Sequence, residues 1–166
     1  MMINLGRIEI PQAEETFATI GSSPYWCWGY EEGMNEFGVA IGNEGVYSKD
    51  LIEKIRSFRE GKGPALGLTG MDLVRLGLER GRTAREAMKV MIDLLEKYGQ
   101  FGSGIPGLGL EGAYDNSYII ADPLELWILE TAGQRWAARK QTQRIASISN
   151  KLSLSTQWDM SSPDLI

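Results

Sequence analysis

Ser117-Tyr-Ile-Ile-Ala-Asp-Pro-Leu-Glu-Leu-Trp-Ile-Leu-Glu-Thr-Ala-Gly-Gln-Arg-Trp-Ala-Ala-Arg-Lys140 contains three strand-length runs separated by two tight turns. Ser117–Asp122 and Glu125–Thr131 are rich in isoleucine and aromatic residues, and Gln134–Lys140 has Trp136 as its largest apolar group. Pro123-Leu124 and Ala132-Gly133 are turn formers between them. Links this short join antiparallel neighbours, because a parallel return needs a crossover of about a dozen residues or more. Arg144–Ser149 reads as a fourth strand ending on Asn150, which extends the meander over about 115–150.

Immediately before the meander the hydrophobic period changes from two to that of a helix. Thr69-Gly-Met-Asp72 is a capping pattern ahead of Leu73, Leu76 and Leu78, and Gly81 closes that segment. Thr83-Ala-Arg-Glu86 is a capping box ahead of Ala87, Val90, Met91, Leu94 and Leu95, with Gly99 as the stop. So short a link predicts an antiparallel helix hairpin over about 69–98. Lys49–Gly63 carries Leu51, Ile52, Ile55 and Phe58 at near-helical spacing. Gln100–Gly112 is glycine-rich, but it follows a helix and lacks Gly-Lys-Ser/Thr, so a phosphate loop is excluded in favour of a surface loop bordering a site. Helices packed on an antiparallel sheet make the fold class α+β, in one domain over 1–166.

The chemistry-bearing stretch is Gly33-Met-Asn-Glu-Phe-Gly-Val-Ala-Ile-Gly-Asn-Glu-Gly-Val46. Gly33 and Gly38 bracket Asn35 in a turn, Val39–Ile41 reads as a buried strand, and Gly42 releases the chain. A carboxamide on a tight turn at a strand mouth can donate to a developing oxyanion. Asn35 and Asn43 are equally good turn formers, and both readings stand at this point.

Composition narrows the chemistry. The 166 residues are 43% apolar and 23% charged, as in ordinary soluble domains. Seventeen basic residues against 22 acidic ones give −5, which argues against nucleic acid or an anionic membrane as a partner. No apolar run is long enough to span a bilayer and no signal peptide is evident, so the expected compartment is cytoplasmic. A single cysteine rules out an internal disulfide. Histidine is absent, which removes Ser-His-Asp and Cys-His mechanisms and the common zinc sites. What remains is carboxylates, amides, lysine, arginine, or a nucleophile whose own α-amine is the base. That last device needs Cys, Ser or Thr at the mature N-terminus, and this sequence begins Met1-Met2.

Upstream, Arg7–Pro11 and Thr16–Ile20 read as short strands, and Tyr25-Trp-Cys-Trp-Gly-Tyr30 is strongly aromatic. Cys27 has Glu31 and Glu32 as its nearest charges, which disfavour a thiolate, so it reads as a packed thiol. The acidic, tryptophan-rich segment is either a pocket for a peptide amine or a surface carboxylate cluster. Neither a metal nor an organic cofactor is indicated.

The Gly33–Val46 block resembles the central motif of the secernin and dipeptidase A family of cysteine-type dipeptidases. Three more blocks match in the same order: Met71–Arg80, Asp115–Pro123, and Leu126–Gly133 running on to Ser147–Asn150. The resemblance implies an N-terminal-nucleophile (Ntn) hydrolase with an αββα sandwich, whose first residue is the catalytic cysteine. It further implies Asn35 as an oxyanion donor and Asn150 as a group that orients the reacting atoms. Asn43 and Glu44 lie in the same block as possible site lining. Dipeptides or small amides are the implied substrates.

Residues 1–166 contain no match to the family's leading cysteine and the charged segment after it, and both these and the family's C-terminal continuation are expected to be lacking. The expectation is an incomplete hydrolase domain without its nucleophile strands, inactive in isolation. The alternative is a non-catalytic binding or assembly domain on the same scaffold. Uncovered sheet edges predict self-association or a partner chain. The tail Trp158–Ile166 reads as the lead-in to a helix.

Overall fold

Seven strands form one antiparallel sheet in chain order: β3 (Thr19–Ser22), β4 (Glu32–Asn35), β5 (Ala40–Val46), β6 (Asp115–Ala121), β7 (Leu126–Ala132), β8 (Arg135–Lys140) and β9 (Met160–Ser161). The computed structural model describes residues 1–143 and 145–165, without the side chain of Glu111. β1 (Met2–Asn4) and β2 (Glu9–Pro11) form a separate two-stranded hairpin. The helices are α1 (Lys49–Arg59), α2 (Gly70–Arg80) and α3 (Ala84–Tyr98). The fold is α+β.

Each helix starts where a side chain can satisfy its free N–H groups. Ser48 Oγ accepts from Leu51 N at 3.0 Å. Thr69 and Asp72 close a reciprocal capping box at α2, and Thr83 Oγ1 accepts from Glu86 N at α3. Leu73, Leu76 and Leu78 of α2 and Ala87, Met88, Met91 and Leu95 of α3 cover one face of the sheet. There they meet Val39, Ile41, Tyr118, Ile120, Trp127 and Leu129. Burying each such leucine is worth about 1.5–3 kcal/mol, so this layer holds the sheet to the helices.

Two expectations for the Gly33–Val46 stretch change. Gly33 lies inside β4 and not in the turn; it pairs with Gly21 and Ile41, and a Cβ there would stand 2.7 Å from Ile20 O. Only Gly38 takes the positive φ, 79°, that the turn needs. Gly42 does not release the chain, because β5 continues through Gly-Asn-Glu-Gly to Val46. Those weak strand formers are held by pairing with β6, from Ala40↔Ala121 to Val46↔Asp115.

The fourth meander strand is also corrected. Residues 145–149 form no strand, apart from an isolated Ser149↔Lys151 bridge, and Arg144 lies outside the described residues. The place beside β8 belongs to Met160–Ser161, within the tail expected to lead into a helix; Ile166 at the end of that tail is also outside the described residues. Ser162 N bonds Trp136 O, Lys140 N bonds Asp159 Oδ2, and Leu154 and Trp158 pack on Ile128 and Ala137. That apolar and polar closure seats Met160–Ser161 beside β8.

Candidate functional site

β4 stays paired with β5 only as far as Glu32↔Gly42, with one further bond from Asn43 N to Glu31 O at 3.1 Å. β6 stays paired to Val46. Beyond Asn43, β5 therefore turns an open edge toward a cleft of about 780 Å³. Its walls include Trp26, Glu31, Glu32, Asn43, Glu44, Tyr114 and Asn150. The size suits a small-molecule or short-peptide ligand.

Asn43 is aimed by a chain of buried amides. Its Nδ2 donates to Asn116 Oδ1 at 2.7 Å, and Asn116 Nδ2 donates to Gln100 Oε1 at 2.8 Å. Gln100 Nε2 reaches Thr131 Oγ1 at 2.9 Å and Asp115 Oδ1 at 3.1 Å. Asp115 also accepts from Ser48 Oγ and from Gly133 N. Asn116 is fully buried, and Gly70 at the start of α2 leaves room for its carboxamide, which a Cβ there would strike. Such a network fixes orientation because each buried donor and acceptor has one partner geometry available.

Asn150 reaches the same strand. Its Nδ2 donates to Glu44 Oε2 at 2.8 Å and to Gly45 O at 2.9 Å, which leaves Oδ1 with no partner among the described residues.

Asn35 sits elsewhere. It is 6% exposed and lines neither this cleft nor its neighbour. Its Oδ1 accepts from Phe37 N at 3.0 Å and Val39 N at 3.1 Å, and its Nδ2 donates to Leu78 O at 2.9 Å and Gly81 O at 2.7 Å. Both amide hydrogens are thus spent on carbonyls at the end of α2. The structure does not bring Asn35 and Asn150 together: Asn35 bonds Val39 and Asn150 bonds Gly45, roughly 20 Å apart along an extended strand. Asn116 was missed as a site residue, although Asp115-Asn-Ser carried part of the family resemblance.

The glycine-rich loop does border the site. Trp26 Nε1 donates to Gly104 O at 3.1 Å, pinning the loop over the cleft, and a Cβ at Gly104 would stand 2.7 Å from Tyr114 Cε1. Burial pushes the Tyr114 phenol up to about 12. Across Trp26 lies a second cavity of about 490 Å³, which Cys27 lines. Burial raises the Cys27 thiol above its ordinary value against the opposing Gly29 N–H, which donates to Sγ at 3.2 Å. A reactive cysteine shows the opposite shift.

The chain is a mixed α/β fold with two carboxamides, Asn43 and Asn150, lining a cleft at an open strand edge. The family model described as peptidase family C69 matches residues 25–165, so the chain belongs to that family, which includes dipeptidase A and secernin-like cysteine peptidases. Peptide hydrolysis is the function that membership supports.

Proposed function

We propose that the cleft at the open edge of β5 is the acyl-transfer site of a cysteine-type dipeptidase of the Ntn kind, on an αββα scaffold. The observation that carries this is the convergence of Asn43 and Asn150 on the edge of one strand in a peptidase-family chain. In this reading Asn43 Nδ2, aimed by Asn116, donates to the oxyanion of the tetrahedral intermediate. Asn150 Oδ1 accepts from the nucleophile's α-amine and holds it toward the scissile carbonyl. The oxyanion role expected of Asn35 passes to Asn43, because Asn35 would have to break two buried bonds to donate. Asn35 positions the hairpin instead.

The attacking thiol is not Cys27, and Cys27 is the chain's one cysteine. Catalysis then needs a thiol from outside these residues, and the 166-residue chain alone is inactive. Dipeptide hydrolysis is to be assayed on this chain, on the chain together with any coding sequence upstream of Met1, and on Cys27→Ala forms of both. Turnover only in the longer protein, unchanged by Cys27→Ala, supports the reading. Turnover by the 166-residue chain that survives Cys27→Ala overturns it.

Self-association belongs to the same proposal. β3 is an edge strand, and Ile20 and Met34 on the hairpin it forms with β4 are 72% and 48% exposed. Sedimentation velocity reads it directly, and a strictly monomeric, folded species refutes it.

A further inference from the structure

The smaller cavity is lined by a cation that makes no ion pair among the described residues. Arg7 lies in the turn between β1 and β2, where Gly6 takes φ 86° and Leu5 N bonds Ile8 O. Arg7 is partly buried: its Nη1 is covered by protein beside Gly102 and has no hydrogen-bond partner, and among the described residues Nε and Nη2 carry no hydrogen bond and Arg7 makes no ion pair. The acid in the wall, Asp72, attracts Arg7 without reaching it as an ion pair: Asp72 is 3% exposed and its Oδ2 closes the α2 cap with Thr69 N at 2.9 Å. Glycine at 102 lets the loop approach, since a Cβ there would stand 3.1 Å from Arg7 Nη1. A partly buried guanidinium ordinarily meets a carboxylate or phosphate through paired N–H donors, here Nε and Nη2.

The remaining walls are apolar and aromatic, with Trp26, Trp28, Leu66 and Ile105. This cavity and the Asn43–Asn150 cleft share Trp26, Met71, Gly104 and Ile105, so they are adjoining compartments divided by the Trp26–Gly104 contact. We propose that Arg7 is the carboxylate anchor of the substrate site and takes the free C-terminal carboxylate of a short peptide whose scissile bond lies in the adjoining cleft. Selection for a free C-terminus close to the scissile bond follows, because a chain that continued past that point would present a neutral amide to the guanidinium. The proposal rests on the peptidase reading given above and adds which end of the peptide is held, and by what.

The test needs no turnover. Binding of Gly-Leu and of its C-terminal amide to the 166-residue chain is measured by titration calorimetry, for wild type, Arg7→Lys and Arg7→Met. The expected result is an amide at least about tenfold weaker than the free acid, the loss of a charge-assisted contact. That ratio falls to about one in Arg7→Met and is partly kept in Arg7→Lys, while circular dichroism and melting report the fold of each variant. Gly-Leu also slows alkylation of Cys27 by iodoacetamide, because Cys27 lines the same cavity. Equal binding of acid and amide, or a ratio that survives Arg7→Met, overturns the anchor and leaves the peptidase site standing. Failure of both ligands to bind overturns the anchor and counts against the peptide-binding cleft itself.

Discussion

Asn35 ends β4 and Asn43 lies within β5, in one hairpin, and the two meet opposite environments. Asn35 makes four hydrogen bonds to backbone groups around the β4–β5 turn and the end of α2. Asn43 makes one side-chain bond, to Asn116, and borders the cleft. A carboxamide with all of its donors and acceptors taken stabilises the fold. One held through a single hydrogen, at the edge of a cavity, can still act on a ligand. Residue type and motif membership do not separate the two; hydrogen-bond saturation does.

The sharpest test is turnover in a catalytically complete protein. Asn43→Ala is expected to lower kcat by about 10²–10³, the usual loss for an oxyanion donor, while KM changes little. An equal or larger loss in a folded Asn35→Ala variant would reverse the assignment. Stability should order them the other way. Asn35→Ala leaves two buried N–H groups and two carbonyls without their partner and is expected to cost about 3 kcal/mol in urea unfolding. Asn43→Ala is expected to cost about 1 kcal/mol, and a larger cost than that of Asn35→Ala would break the comparison.

Gly70→Ala sharpens it further. The added methyl displaces the Asn116 carboxamide and with it Asn43, so about 1–2 kcal/mol of stability is lost and kcat falls although no cleft residue is replaced. Unchanged kcat would show that Asn116 does not aim Asn43. The smallest effect concerns Cys27. Burial favours its neutral thiol, so at a given pH its thiolate fraction is below that of free cysteine, whose ordinary value is 9.0. Alkylation by iodoacetamide should be slow at neutral pH and rise only as pH passes that value. Rapid modification at neutral pH would reopen Cys27 as a nucleophile.

The helices were legible from local chemistry. Thr69, Thr83 and Gly99 stand at the helix ends that their capping preferences indicate, because a cap is a contact between residues three or four apart. The first three strands of the meander were legible for a similar reason, since turns such as Pro123-Leu124 leave adjacent runs one partner each. The edge strand was not. Met160–Ser161 owes its place to Trp136, Lys140, Ile128 and Ala137, more than twenty residues away or nearly so, and a two-residue strand carries no periodicity of its own.

The site divides along the same line. By itself the sequence determined the helix boundaries, the antiparallel order of β6, β7 and β8, the exclusion of histidine chemistry, and the asparagine-bearing blocks of a peptidase family. Only the tertiary structure decided which asparagine is saturated and which faces the cleft. That choice depends on Leu78 and Gly81 meeting Asn35, on Asn116 and Gln100 lining up behind Asn43, and on β4 parting from β5 after Gly42. These are contacts between residues sixteen or more positions apart, or the absence of one, and no local pattern encodes them.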